Sequence, residues 1–396
     1  MMNDLSQKVI NLPESATLAM ANKAREIKSK GIDVINLSIG EPDFNTPDFI
    51  KRAAIQAIQQ DYNGYTPVDG YLELRQAICH KLQRDNQLEY EPHQIVVSTG
   101  AKQCIANILM ALLDPGDQVL LPCPYWVSYS AMTVLNQSNA ILIPSRIDSG
   151  YKISAEQLKQ SITPKTKAVI FNSPNNPSGT VYSKEDFLAI GQVLREHPQV
   201  YIISDEIYEH INYGVPHYSL ANIPELYERT IVVNGLSKAF AMTGWRLGYM
   251  AGPDWIAAAC KKIQGQFTSG TNCITQRAAI TALMHPVAEI QYMVNAFKKR
   301  RDFALELLKA IPQINLIKPD GAFYLFPDIS SFYGTKIKGV PINNSMDMAL
   351  FFLEHAKVAT VAGSAFGDKN ALRLSYATSE QQIEKAIKAI AKLLSS

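Results

Sequence analysis

The feature that most constrains the fold of this chain is an alternation of short apolar segments with helical patterns between about residues 50 and 280. Segments rich in Val and Ile recur there, and a polar or Gly/Pro-rich segment follows each of them: 94–97, 119–121, 168–171, 201–203 and 231–233. Such alternation is typical of βαβ crossovers, because helices join parallel strands and cover the sheet. We therefore expect an α/β fold with a mainly parallel central sheet and helices on both faces.

A change of pattern near Pro286 predicts a second, smaller domain. Pro286 begins a long stretch with apolar residues at helical spacing, and strand-like segments follow it. Residues 1–45 contain no segment suited to the central sheet. We therefore expect a large domain over residues 46–285, and a smaller α+β domain that combines residues 1–45 with residues 286–396.

Composition argues against several classes of protein. The chain has 38 Lys and Arg against 36 Asp and Glu, a balance that does not favour nucleic-acid binding. No apolar run approaches the roughly 20 residues of a membrane-spanning helix. The 5 cysteines and 7 histidines lack the spacing of metal sites, so we expect no metal. An odd number of cysteines and no export signal predict a cytoplasmic protein with reduced thiols.

Polar and charged side chains follow the predicted strands, at the edge where parallel sheets bind ligands. Residues 98–102 (STGAK) begin a helix, whose free amides can bind a phosphate. Asp205 ends an apolar strand, where a desolvated carboxylate needs a cationic or donor partner. Lys238 follows another strand among apolar neighbours that would lower its pKa, and Arg246 can pair with phosphate. Each feature alone also fits a capped helix start, a helix N-cap or a solvated surface charge.

Together these groups match what pyridoxal phosphate (PLP) needs: a lysine, a carboxylate for its ring nitrogen, donors for its ring oxygen and a phosphate site. Three motifs occur in order: NSPNNPSG at 172–179, SDEIY at 204–208 and NGLSKAFAMTGWRLGY at 234–249. With them, the whole chain resembles PLP-dependent class I aminotransferases of fold type I. Within that family it is most similar to the prokaryotic-type aspartate aminotransferases.

The resemblance implies roles for individual residues of the large domain. Lys238 would be the catalytic residue, bonding the cofactor aldehyde and moving a proton between the substrate Cα and the cofactor. Asp205 would pair with the ring nitrogen, while Tyr208 and Asn176 would hold the ring oxygen. Trp126 would stack on the ring. The implied phosphate-binding residues are Gly100, Ala101, Lys102, Ser237 and Arg246.

Other implied residues concern the substrate and a second subunit. Arg373 would bind the substrate α-carboxylate, with Gly40 close to it. Tyr65 resembles a tyrosine that reaches the phosphate of the neighbouring subunit, which implies a homodimer with shared active sites. Simpler alternatives remain open: Trp126 and Tyr129 as core aromatic residues, and Tyr65 as a turn residue.

The substrates implied are amino acids and 2-oxo acids, with aspartate or glutamate donating an amino group to an oxo acid such as 2-oxoglutarate in a ping-pong reaction. A dicarboxylate needs a second cationic or donor group, and Thr17 and Lys102 match such groups in relatives. Relatives that accept prephenate often carry Lys-Pro where this chain has Pro13 and Glu14, which puts that activity in doubt. The alternatives are an aromatic, prephenate or broad-specificity aminotransferase, a PLP-dependent C–S lyase and, more remotely, a ligand-sensing regulator.

Overall fold

The computed structural model describes residues 5–10, 12, 14 and 16–395 of the chain. Its strands, numbered in chain order, are β1 (Ile35–Asn36), β2 (Ile95–Ser98), β3 (Gln118–Pro122), β4 (Asn139–Ile143), β5 (Thr166–Asn172), β6 (Tyr201–Asp205), β7 (Thr230–Gly235), β8 (Gly248–Ala251), β9 (Tyr324–Leu325), β10 (Thr335–Ile337), β11 (Val340–Ile342), β12 (Val358–Ala359), β13 (Val361–Ala362) and β14 (Leu372–Ser375).

The α-helices of the described residues are α1 (Gln7–Ile10), α2 (Ala16–Ser29), α3 (Asp48–Gln59), α4 (Leu72–Asn86), α5 (Ala101–Leu112), α6 (Ser128–Leu135), α7 (Ala155–Ser161), α8 (Lys184–Arg195), α9 (Pro224–Tyr227), α10 (Asp254–Phe267), α11 (Cys273–Met284), α12 (Gln291–Lys309), α13 (Ser345–Phe351) and α14 (Glu380–Leu394). Among these helices, none combines the length and apolar composition that crossing a membrane requires.

A seven-stranded sheet lies at the centre of the molecule, in the order β2-β8-β7-β6-β5-β3-β4. Strands β3 to β7 are parallel to their neighbours among themselves, and β8 is antiparallel to both β7 and β2. The predicted mainly parallel α/β sheet is therefore confirmed. The sequence did not predict β4 or the antiparallel β8.

Apolar side chains on both faces of the sheet explain why its strands read as continuous apolar runs. In β5, Ala168 and Ile170 pack in a core with residues of α5 and α6, while Val169 and Phe171 pack on the opposite face with Phe187 of α8. Burial of each large apolar side chain contributes roughly 1.5–3 kcal/mol. The two cores fix the sheet and, with it, the residues that follow each strand.

The register of the parallel strands sets polar residues side by side at one edge. Asn172 pairs with Asp205, so β5 and β6 end level with each other. Asp205 pairs with Val233, and β7 extends two residues further, to Gly235. Lys238 follows β7 by a few residues. Since the carboxyl edge of an open α/β sheet is where ligands bind, the topology brings the predicted residues together.

The remaining elements pack beside this sheet. Strands β13, β14 and β9 form a small antiparallel sheet, in which β9 contacts α12, and α12 in turn packs against α14. The N-terminal segment joins them, because Ile35 of β1 pairs in parallel with Val358 of β12. The long helix predicted from Pro286 is present, but it begins at Gln291 after a single 3₁₀ turn. The predicted division into two domains stays a prediction.

Candidate active site

A cavity of about 600 Å³ opens at the carboxyl ends of the parallel strands. Residues of the N-terminal segment, of the central sheet and of β9 and β14 line it. Most residues predicted from the sequence meet there: Thr17, Gly40, Ala101, Lys102, Trp126, Asn176, Asp205, Tyr208, Ser237, Lys238, Arg246 and Arg373.

Lys238 lies in this cavity, in surroundings that disfavour its charge. Its Nζ donates a hydrogen bond of 2.6 Å to the carbonyl oxygen of Gly40. Burial lowers the pKa of Lys238 to about 8. The nearby charges of Arg373 and Arg246 also lower this pKa, and Glu41 opposes them. A lysine of this kind is partly neutral near physiological pH, as a nucleophile or general base must be.

Asp205 is a buried carboxylate with neutral partners. Its Oδ2 accepts a hydrogen bond of 2.6 Å from the Tyr129 hydroxyl, and its Oδ1 accepts one of 3.2 Å from the amide of Ile207. Burial raises the pKa of Asp205 to about 6, and the hydrogen bond from Tyr129 partly offsets this shift. A buried carboxylate held this way suits a cationic ring nitrogen, which would restore its ionised form.

Arg373 is a buried guanidinium of β14. Its Nη1 donates 3.0 Å to Asn176 Oδ1 and its Nη2 donates 2.5 Å to the carbonyl of Ser38, while its buried Nε has no hydrogen-bond partner in the described part of the chain. None of the described carboxylates forms an ion pair with it. Because burying an unpaired charge is costly, the arrangement fits an anionic ligand.

The start of α5 is a second candidate anion site. No side chain caps this helix, and its first residues, Ala101 and Lys102, line the cavity. Gly100 has a φ of +89°, and a Cβ there would lie 2.3 Å from Nη2 of Arg246, so only glycine lets the guanidinium approach. Free helix amides beside a guanidinium bind phosphate well.

Lys102 extends over the ring of Trp126, with Nζ 4.9 Å from the ring centroid. Burial and the charge of Arg246 lower the pKa of Lys102. Trp126 also contacts Tyr129 edge to face, at 5.4 Å between ring centroids. Trp126 therefore lies in the cavity wall and not in the interior of a core.

Two tyrosines of the cavity were missed as site residues. Tyr129 is buried as a core residue would be, but its hydroxyl binds Asp205. Tyr324 is completely buried, and its hydroxyl lies 2.8 Å from that of Tyr208. The sequence offered only a general indication, because the hydroxyl of a buried tyrosine usually has a hydrogen-bond partner.

Other predicted residues lie outside the cavity lining. Gly100 lies against the guanidinium of Arg246, and Tyr65 is fully exposed; neither residue is part of the cavity lining. The contact of Tyr65 with a second subunit stays a prediction. Glu14 is exposed, and Pro13 lies outside the described residues.

Glu206, Glu209 and His217 form the one acidic cluster of the described residues with metal-ligand spacing, their ligand atoms lying within 4.8 Å of one another. Buried Lys81 forms an ion pair with Glu209, and hydroxyl groups donate to Glu206. The cluster is thus neutralised by protein groups, and the expectation of no metal stays a prediction.

The residues around the cavity fit PLP. One cavity of suitable size is surrounded by four groups that the cofactor needs. They are Lys238 with its lowered pKa, the buried carboxylate of Asp205, the start of α5 beside a guanidinium, and buried Arg373 with its unpartnered nitrogen. This fold and site define the fold type I class of PLP-dependent enzymes.

Comparison with known proteins identifies the family. The chain belongs to the aminotransferase class I and II family, whose model matches residues 32–390. It is 46% identical to an aspartate aminotransferase of Pinus pinaster, over 98% of this chain and 80% of that protein. It is 44% identical to an aspartate/prephenate aminotransferase of Nitrosomonas europaea, over 99% of this chain and 100% of that protein.

A solved structure agrees with these relatives. The aspartate aminotransferase of Thermus thermophilus with maleate superposes with a TM-score of 0.93 at 39% identity, covering 99% of this chain and 100% of that one. The resemblance stated from the motifs is therefore confirmed. The chain is a PLP-dependent aminotransferase, whose substrates are amino acids and 2-oxo acids.

Proposed function

We propose that this aminotransferase takes the amino group of aspartate or glutamate and passes it to a 2-oxo acid such as 2-oxoglutarate, in two successive half-reactions. The observation that carries the proposal is a cavity with cationic groups for two carboxylates. Buried Arg373 has an unpartnered nitrogen, and Lys102 lies with Thr17 in the lining of the same space.

Arg373 and its neighbours would bind the α-carboxylate, which every amino acid carries. Asn176 holds Nη1 of the guanidinium and the carbonyl of Ser38 holds Nη2, so the group is oriented before any substrate arrives. Gly40 lies beside the same wall of the cavity. This end of the site would orient the substrate without selecting its side chain.

Lys102 and Thr17 would bind the side-chain carboxylate of a dicarboxylic substrate. Lys102 holds its Nζ over the Trp126 ring, in the lining of the cavity. The Thermus thermophilus relative was solved with maleate, itself a dicarboxylate. Selectivity for aspartate and glutamate would arise at this end of the cavity.

PLP, when bound, supplies a ring that withdraws electrons from the substrate Cα. Asp205 would keep the ring nitrogen cationic through its ion pair, and Tyr208 with Asn176 would donate to the ring oxygen. The phosphate would lie against Arg246, Ser237 and the first turn of α5.

Lys238 would hold PLP covalently until the substrate displaces it and would then act on the Cα proton. Its pKa of about 8 leaves a useful neutral fraction at physiological pH. Its hydrogen bond to the carbonyl oxygen of Gly40, a residue proposed to lie near the substrate carboxylate, supports this role. One group could thus both accept the proton from Cα and return it to the cofactor.

We also propose a cytoplasmic homodimer with shared active sites. Tyr65 is fully exposed, and large apolar side chains such as Ile58 and Phe267 are exposed as well. An exposed tyrosine that completes the partner's phosphate site would explain its position. The free cysteines favour a reducing compartment. Sedimentation analysis and mixed dimers of inactive Lys238 and Tyr65 variants test the shared site.

Prephenate is a second candidate acceptor, because several relatives near 45% identity carry aspartate/prephenate names. The Pro13 and Glu14 positions differ from the pattern of many such enzymes. Measuring amino transfer from aspartate or glutamate to prephenate decides this point.

The main proposal is tested by titrating the visible absorbance of the PLP-bound protein with aspartate, glutamate, phenylalanine, alanine and kynurenine. We expect aspartate and glutamate to bleach the band at the lowest concentrations, and oxaloacetate or 2-oxoglutarate to restore it. A preference for phenylalanine would replace the proposal with an aromatic aminotransferase. Release of ammonia without need of an oxo acid would indicate a lyase.

A further inference from the structure

Tyr324 contacts two groups to which the proposed function gives separate tasks. Its hydroxyl lies 2.8 Å from the hydroxyl of Tyr208. The guanidinium of Arg373 lies 4.6 Å from the centroid of its ring. Tyr324 is completely buried and lines the cavity. Tyr324 therefore contacts both Arg373, which would bind the substrate carboxylate, and Tyr208, which would hold the ring oxygen of the cofactor.

The position of the Tyr324 hydroxyl is fixed by the fold. Tyr324 of β9 pairs with Ser375 of β14, the strand that carries Arg373. A Cβ on Gly40 would lie 2.6 Å from the Tyr324 hydroxyl oxygen, so the backbone of the N-terminal segment closes against this group. Within the described part of the chain, the hydroxyl of Tyr208 is its hydrogen-bond partner.

The chemistry of two phenols assigns a direction to this hydrogen bond. Each hydroxyl has one proton, so only one of the two can donate across the 2.8 Å contact. If Tyr208 gives its proton to the ring oxygen of PLP, its own oxygen is free to accept, and Tyr324 has to be the donor. Hydrogen bonds in such a chain strengthen one another, by roughly 10–30% per bond.

We propose that Tyr324 is a positioning residue of the aminotransferase: its hydroxyl donates to Tyr208 and thereby directs the Tyr208 proton to the ring oxygen of PLP. The inference rests on the proposed function, which assigns that oxygen to Tyr208. Because Arg373 packs on the ring of Tyr324, the donor is part of the wall that receives the substrate. The charged groups facing the two tyrosines are Arg373, Lys238, Asp205 and Glu41.

The test is a pH titration of the visible absorbance of PLP-bound protein without substrate. Donation to the ring oxygen stabilises its negative charge, which otherwise holds a proton on the nitrogen that links PLP to lysine. Removing the donor should therefore raise the pH at which half of the protein has lost this proton, which is the midpoint of the absorbance titration. We expect Tyr324→Phe, which keeps the ring under Arg373, to raise the midpoint by roughly 0.3–1 unit, and Tyr208→Phe to raise it further.

The double variant separates action through Tyr208 from a structural effect. If Tyr324 acts through Tyr208, the variant with both substitutions has the midpoint of Tyr208→Phe alone. The matched control is Tyr376→Phe, since Tyr376 is a buried tyrosine that bonds Tyr213 and the carbonyl of Ala322 and lies outside the cavity lining. It should titrate like the unchanged protein.

A midpoint for Tyr324→Phe equal to that of the unchanged protein, or additive shifts in the double variant, would overturn the inference while leaving the proposed function intact. An unchanged midpoint for Tyr208→Phe would overturn the proposed role of Tyr208, and this inference with it. If Tyr324→Phe does not fold or bind PLP, fluorotyrosine at position 324 keeps the shape and strengthens the donor. It should lower the midpoint, and a rise would contradict the inference.

Discussion

The hydroxyl of Tyr129 donates a hydrogen bond of 2.6 Å to Oδ2 of Asp205, and both side chains are buried. Tyr129 belongs to α6 and Asp205 ends β6, so the contact joins a helix to the end of a central strand. A neutral donor orients the carboxylate without neutralising it. Asp205 therefore keeps its charge available for a cationic ligand.

The first prediction concerns Tyr129→Phe. Loss of the hydroxyl should raise the pKa of Asp205 further, because this hydrogen bond favours the ionised carboxylate. A hydrogen bond to a charged group contributes about 1.5–3 kcal/mol, so we expect PLP affinity to fall roughly 10- to 100-fold. Fluorescence titration of the PLP-free protein with PLP measures this, and the acid side of the binding profile should move to higher pH.

Tyr151→Phe is the control for that variant. Tyr151 is also buried, and its hydroxyl donates to the carbonyl of Phe326, away from the cavity lining. Its substitution should lower the melting temperature without changing PLP affinity. Equal PLP affinity for Tyr129→Phe and the unchanged protein would show that Asp205 does not need this donor.

The second prediction concerns the stability of the PLP-free protein. The pKa of Asp205 is raised to about 6 from 3.8, so the folded state holds this proton more tightly than the unfolded state does. Ionisation of Asp205 therefore costs stability as the pH rises from about 4 through 6. Asp205→Asn should stabilise the PLP-free protein at pH 8 by about 1–3 kcal/mol, and much less at pH 4.

The same substitution should weaken PLP binding, since the ring nitrogen loses its anionic partner. Urea unfolding at pH 4 and pH 8 measures the change in the free energy of unfolding, and titration with PLP measures the change in PLP affinity. A destabilised PLP-free Asp205→Asn protein at pH 8 would show that the carboxylate is better satisfied without cofactor than its burial indicates.

The third prediction concerns Lys102→Met, which removes the charge but keeps much of the packing on Trp126. We expect kcat/KM for aspartate to fall roughly 10- to 100-fold and kcat/KM for alanine to change little, because only aspartate has a side-chain carboxylate. Lys159→Met is the control, since Lys159 pairs with Glu196 on the surface. Equal losses for both substrates, with weaker PLP binding, would place Lys102 at the phosphate instead.

Much of the candidate site could be predicted because its residues come directly after the strands in the sequence. Asp205 ends β6, and Lys238 follows β7, the strand beside it, so a parallel sheet necessarily brings them close. The motifs that carry them are continuous in sequence. Local order and the direction of the strands were enough to place these residues.

The contacts of Tyr324 could not be predicted in the same way. It lies 116 residues from Tyr208 in sequence, and their contact depends on how β9 and β14 pack over the sheet. Likewise, Tyr129 has the residue type and burial of an ordinary core aromatic. Its task becomes visible only when α6 is placed over the end of β6. Strand β8 was not predicted at all, and no sequence pattern would have shown that it runs antiparallel to β7 and β2.

The fourth prediction concerns Lys238→Ala. The substitution removes both the covalent partner of PLP and the group proposed to move the Cα proton. We expect kcat to fall by more than the roughly 10²- to 10⁴-fold typical of one general acid–base group. Steady-state transamination of aspartate with 2-oxoglutarate measures the loss. Turnover at an appreciable fraction of the unchanged protein would refute the assignment.

The most direct test of the account is to locate the covalent bond itself. Borohydride reduction of the PLP-bound protein fixes the cofactor on the lysine that carries it, and peptide mass spectrometry then identifies that residue. We predict one labelled peptide, containing Lys238, and loss of the label when aspartate is added before reduction. Labelling of Lys102 or another lysine instead of Lys238 would contradict the account.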